Sequence, residues 1–186
     1  ENNASNWKTI CVSQNKIEDG ILCSKFDTEK LLDGTYQIML LVYGRDGQVS
    51  KDINFFEIDY ANLKEIYNND IYGKGGLINI IGNIENENNL IGYEIKYKLF
   101  NENLWRDEGI ILKNNGKKPV YNGVIASWDT SLVSEGFYDL KLIAKYKQGN
   151  TEDVRYNIYL DPDLKKGWHV YIQNNSIPFY SQLFLG

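Results

Sequence analysis

The residues of this chain that could do chemistry are few and scattered. His169 is the sole histidine among 186 residues, which excludes a multi-histidine metal site and leaves a Ser-His-Asp triad one candidate base. Its neighbours alternate as a strand and no G-x-S-x-G turn occurs, so it reads as a half-exposed strand histidine. Cys11 and Cys23 have no histidine close in sequence, which argues against a thiol nucleophile. Asp27, Asp33, Asp46, Asp129, Glu135, Asp161 and Asp163 fall at turns, where such side chains bond their own backbone. A paired-carboxylate glycosidase would need two of them across a cleft. Asp161 with Asp163 could offer oxygen ligands to Ca²⁺ at a junction, with a plain capped turn as the alternative. Gly73-x-Gly75-Gly76 precedes a strand rather than a helix and reads as a turn, not a phosphate loop. The expectation is a chain that is not an enzyme and has no cofactor or metal site beyond that Ca²⁺ candidate.

Bulk composition narrows the partners. With 20 Lys+Arg against 25 Asp+Glu the formal net charge is −5, too acidic and too evenly mixed for a nucleic-acid or anionic-membrane binder. No apolar run approaches the roughly 18 residues of a membrane span. The 14 Tyr, 7 Phe and 4 Trp suit half-buried pleated surfaces. The chain starts at Glu1 rather than Met, and a processed or partial chain is expected.

What must position these residues is a turn feeding a strand, and it occurs twice. Asp27 and Asp129, Thr28 and Thr130, Gly34 and Gly136, Tyr36 and Tyr138, Gly47 and Gly149, and Asp59 and Asp161 share one offset (129 − 27) without a gap. In the first copy Tyr36, Ile38, Leu40 and Val42 alternate, and Arg45-Asp46-Gly47 turns the chain into Ile53 to Ile58. Upstream, Trp7 to Cys23 reads as a hairpin centred near Ile17. It would set Cys11 opposite Cys23 for a disulfide in an oxidising compartment, the alternative being two small core residues. Leu63 to Tyr67 is a first strand of the second unit, with a short helix as the alternative. Leu77 to Gly82, Gly92 to Leu99, Gly109 to Lys113, the Asn114-Asn115-Gly116 turn, Val124 to Ser127, Tyr138 to Tyr146 and Val154 to Leu160 follow.

About seven strands in about 100 residues predict an all-β chain of tandem immunoglobulin-like sandwiches. Leu132, Gly136 and Tyr138 fit a tyrosine corner, and Tyr36 takes the same role in the first unit. The structural corner is therefore Trp128, Asp129, Gly136 and Tyr138, with Phe26, Asp27, Gly34 and Tyr36 as its copy. The exchange of Trp128 for Phe26 is one expected in a core rather than on a sugar platform, the other reading of Trp105, Trp128 and Trp168. Unit one starts only six residues before Trp7, the counterpart of Trp105, so its front half is missing and a sheet edge and an apolar face should be exposed. The expected units are 1–60, a partial sandwich; 61–162, a complete one; and 163–186, a linker and the first strands of a following domain.

Ile78-x-Ile80-x-Gly82, Tyr93-x-Ile95-x-Tyr97, Trp105, Asn122 to Thr130 and Glu135-Gly136-x-Tyr138-x-Leu140-x-Leu142 resemble the tandem immunoglobulin-like or fibronectin-like accessory domains of large secreted bacterial and archaeal proteins. Subtilisin-like peptidases are among these. The stretch from Asp161 to Trp168, with Ser176-Ile177-Pro178 and Leu183 to Gly186, resembles the entry to an FG-GAP β-propeller, although His169 stands where those repeats usually have Pro. The resemblance implies an extracellular or cell-surface structural segment whose partners are adjacent domains of its parent or sister chains, without nucleic acid or a membrane span. A carbohydrate- or protein-binding module, or an accessory region of a secreted peptidase, are the rival readings.

Overall fold

The computed structural model describes residues 7–170 apart from 16, 18 and 19. The FG-GAP-like residues 176–178 and 183–186 lie outside them. Eleven strands occur among the described residues: β1 (Gly34–Tyr43), β2 (Val49–Ile58), β3 (Ala61–Lys64), β4 (Ile71–Gly73), β5 (Leu77–Ile84), β6 (Leu90–Leu99), β7 (Ile110–Leu112), β8 (Val120–Asp129), β9 (Gly136–Tyr146), β10 (Gly149–Asp161) and β11 (His169–Val170). The chain is all-β, as its period-2 alternation predicts.

From β3 onwards the strands form two sheets, β3-β5-β8-β7 and β11-β4-β10-β9-β6. All pairs are antiparallel except β4 with β10. Alternate residues of both sheets meet in one core. Ile78, Ile80, Ile84, Ile125 and Trp128 come from the first sheet, and Tyr93, Ile95, Tyr97, Tyr138, Leu140, Leu142, Ala144, Ile158 and Leu160 from the second. Each fully buried Leu or Ile is worth about 1.5–3 kcal/mol over exposure, so this core holds the fold. The turn from β4 to β5 is tight because Gly73 lies against the chain at Leu164 and Lys165, where a Cβ would collide with the Lys165 carbonyl. Gly116 follows Asn114 and Asn115, all three at positive φ, and a Cβ there would strike the Tyr93 carbonyl.

β1 and β2 form a separate two-stranded hairpin, paired from Gly34↔Ile58 to Tyr43↔Val49. Its first pairs match those of β9 and β10 one repeat later: Gly34↔Ile58 with Gly136↔Leu160, and Tyr36↔Phe56 with Tyr138↔Ile158. The copies then diverge by one residue at a bulge between Arg155 and Ile158, where Asn157 takes φ 59°. Their environments differ more. Leu140, Leu142 and Ala144 are at most 1% exposed, whereas their counterparts Ile38, Leu40 and Val42 are 42, 45 and 51% exposed.

Two sequence expectations are corrected. No strand forms between residues 7 and 33 among the described residues, so the Trp7 to Cys23 hairpin is absent. Val12 and Ile21 are 78 and 79% exposed, and alternation without a face to bury gives a ladder little to hold it. The strand expected over Leu63 to Tyr67 is instead Ala61–Lys64. Glu65 adopts φ 56°, ending the ladder and turning Ile66 into the core at 2% exposure.

Replacing Tyr138 with Phe removes the hydroxyl that bonds the Ser134 carbonyl at 3.0 Å and should cost about 1–2 kcal/mol in urea unfolding. Tyr36→Phe, in the uncovered copy, should leave that main transition unchanged. Equal losses at the two sites would contradict the division of core between the units.

Candidate functional site

The corner residues come together as a hydrogen-bonded and stacked unit in both copies. Asp129 Oδ1 accepts from the Ser131 N–H at 3.0 Å and from the Ser131 hydroxyl at 2.6 Å, and these bonds hold its carboxyl below the usual range. In the first copy Asp27 Oδ1 accepts from the Glu29 N–H at 3.0 Å. The Tyr138 hydroxyl donates to the Ser134 carbonyl, and the Tyr36 hydroxyl to the Leu32 carbonyl at 2.9 Å. Trp128 lies between Tyr97 and Tyr138, with ring centroids 4.8 and 5.5 Å away. Phe26 instead meets Phe56 edge-on at 6.3 Å, and Phe56 stacks on Tyr36 at 5.6 Å. Thr130, next to Asp129, ties the glycine turn down: its Oγ1 accepts from the Gly75 and Gly76 N–H groups and donates to the Gly76 carbonyl at 2.7 Å. The glycine-rich stretch is thus a turn.

The first copy is joined to the sandwich through its own corner. The Glu29 carbonyl accepts from the side-chain amides of Asn86 and Asn89, both at 3.0 Å, and of Gln148. Asn88 Nδ2 reaches the Glu29 carboxylate at 3.2 Å. Tyr60, between the units, donates its hydroxyl to the Thr28 carbonyl at 2.5 Å, while its N–H bonds Asp33 at 3.1 Å. Its ring lies 5.8 Å from that of Tyr146. No sequence expectation assigns residues 86–89 a role in joining the units. The density of Asn in Asn86, Asn88 and Asn89 was the signal that could have shown it, because each amide carries two donors.

Beside this joint lies a cleft of about 420 Å³ lined by Asp33, Glu57, Asp59, Lys64, Glu152 and Asp153, among others. Arg155 and Asp153 in its wall serve the fold. Arg155 spends its guanidinium on the carbonyls of Ile66 and Leu63, at 2.7 and 2.8 Å, and on Asp153. Asp153 also accepts from the Leu63 N–H at 2.7 Å. Among the described residues no group of three or more His, Cys, Asp or Glu has metal-holding geometry.

The remaining candidates are dispersed. Cys11 and Cys23 are disulfide-bonded, with Cα atoms 6.2 Å apart, in a segment without strands. Asp161 Oδ1 accepts from the Asp163 N–H at 2.8 Å, the geometry of a capped turn. His169 pairs with the buried Asp70 (Nε2 to Oδ2, 3.0 Å) and stacks on Tyr72 at 4.2 Å, so it fastens β11 to β4. The Trp105 ring sits beneath the ammonium groups of Lys141 and Lys98, at 4.5 and 5.5 Å, and Lys165 lies 5.0 Å from the exposed Trp168 ring.

Burial raises the phenols of Tyr60, Tyr72 and Tyr146 above their ordinary value and pushes Tyr93 up to about 12. At Tyr146 the carboxylates of Asp33, Glu85 and Asp59 add to this. The unfolded chain ionises its tyrosines near pH ~10, so above that pH the unfolded state binds fewer protons than the folded one and stability falls. Melting temperature should hold below about pH 9.5 and drop as pH rises through 10 to 12, less steeply in Tyr146→Phe. An equal slope in that variant would exclude the joint tyrosine as a contributor. No protein-family model matches this chain, and no curated protein matches it.

Proposed function

We propose that the chain is a non-catalytic structural segment of a larger extracellular or cell-surface protein, built of immunoglobulin-like units that space and present a neighbouring module. The joint at Glu29 carries this reading: one backbone carbonyl gathers three side-chain amides, which restrains the hairpin on the sandwich. Support for the immunoglobulin-like assignment is the strand order: β3-β5-β8-β7 faces β11-β4-β10-β9-β6, in which β10-β9-β6 corresponds to the three-stranded sheet of a constant-type domain, with β4 and β11 added at its β10 edge. The disulfide between Cys11 and Cys23 favours an oxidising compartment. Arg155 and Asp153 of the cleft are engaged in holding strands, which favours a structural over a catalytic role.

A protein-binding module is the second reading, favoured by the exposed apolar residues of the hairpin. A sugar platform has less behind it, because Trp128 is core and Trp105 is capped by lysines.

Backbone ¹⁵N relaxation tests the spacer reading. Amides of β1 and β2 should tumble with those of β9, with order parameters near 0.85. Replacing Asn86, Asn89 and Gln148 together with Ala should drop the hairpin values towards about 0.6 and leave β9 unchanged. A hairpin that already moves independently in the unaltered protein would defeat the proposal.

A further inference from the structure

We infer that the free edge of β1 is a docking site for an extended peptide strand that adds antiparallel to it, with aromatic and branched residues at every second position. The inference stands on the geometry of the hairpin and goes beyond the spacer reading, which could fail without affecting it.

The second unit displays what covers this surface. There β9, the counterpart of β1, is paired on both sides: β10 on one edge and β6 on the other, from Leu99↔Tyr138 to Leu90↔Tyr146. β1 has its β10-like partner, β2, and among the described residues no second neighbour. The Gly44 N–H to Gln48 carbonyl bond of 2.8 Å sets the alternation of the ladder. By that alternation Thr35, Gln37, Met39 and Leu41 turn their N–H and C=O groups away from β2. The corresponding edge of β9 is in use, the Phe137 carbonyl accepting from the Phe100 N–H at 2.9 Å. An open row of donors and acceptors is a template for strand addition.

Side chains specify the incoming strand. In the sandwich Tyr97, Ile95 and Tyr93 stand opposite Leu140, Leu142 and Ala144, and all six are buried. The counterparts Ile38, Leu40 and Val42 lie open on one face. A strand alternating as Tyr-x-Ile-x-Tyr supplies the missing contacts there. β1 itself has no charged residue, so it lacks counterparts of Asp139 and Lys141, and no ion pair is demanded of the partner's other face.

The probe is a synthetic peptide of residues 89–100 of this chain, added to the whole protein. We expect saturable binding and hydrogen-exchange protection of Thr35, Gln37, Met39 and Leu41. Leu40→Lys, which charges the open face at an already exposed position, should weaken binding at least tenfold, and Gln37→Lys, on the opposite face, by less than twofold. N-methylation separates strand pairing from general stickiness. In the sandwich the alternation set by Phe100 points the Lys96 N–H at β9, while the Tyr97 N–H bonds the Arg106 carbonyl at 2.8 Å. A peptide methylated at Lys96 should therefore lose binding, and one methylated at Tyr97 keep it. Absence of binding, equal binding of both methylated peptides, or protection of the β1 edge before peptide is added, as by residues 171–186 or a second copy, would overturn the inference.

Discussion

A phenol hydroxyl reaching back four residues to a backbone carbonyl fixes how the chain turns into the strand that follows each corner. Tyr138 and Ser134 make this bond in the sandwich, and Tyr36 and Leu32 repeat it in the hairpin. The bond is worth about 1 kcal/mol by itself, but its geometric effect is larger. It places the Tyr138 ring edge-on to Trp128, and Trp128 in turn lies against Tyr97. Residues of β6, β8 and β9 are thereby brought into one aromatic contact spanning both sheets. Thr130, one position past the aspartate that caps the corner, then ties down the turn into β5.

The joint between hairpin and sandwich uses different physics. Its bonds run from side-chain amides to a carbonyl, with Asn86, Asn89 and Gln148 converging on Glu29. A carbonyl oxygen has two lone pairs, so three donors share it and each bond is weaker than it would be alone. What the arrangement supplies is direction. Tyr60 adds a second attachment, holding Thr28 by its hydroxyl and Asp33 by its amide. Two points of attachment fix an orientation that one would leave free to swivel.

Much of this was legible in residue types and spacing. The all-β class, the alternation of β6 and β9 and the paired corners followed from period-2 patterning and from turn residues, which act over a few positions. The Trp7 to Cys23 ladder did not form, because local alternation cannot report whether a face exists to receive it. The same limit applies to Leu63 to Tyr67: Ile66 enters the core only after Glu65 breaks the strand, and a residue at φ 56° leaves no mark in an alternation count. The hold of Asp70 on His169 was hidden for another reason. The two residues are distant in sequence, and their pairing depends on β11 lying beside β4, a long-range register no local pattern encodes.

The contrast between the copies separates local order from stability. Tyr36 closes its corner although the face it serves is open, because an i to i−4 bond needs only its own turn. Ile38, Leu40 and Val42 are at least 42% exposed, so the hairpin forgoes much of the roughly 1.5–3 kcal/mol that each such side chain yields when buried. An isolated two-stranded hairpin is marginal in water. The first copy therefore owes its order to the shared carbonyl of Glu29 and to Tyr60 rather than to a core of its own. Its ladder runs in one register from Gly34↔Ile58 to Tyr43↔Val49, without the bulge that interrupts β10 between Arg155 and Ile158.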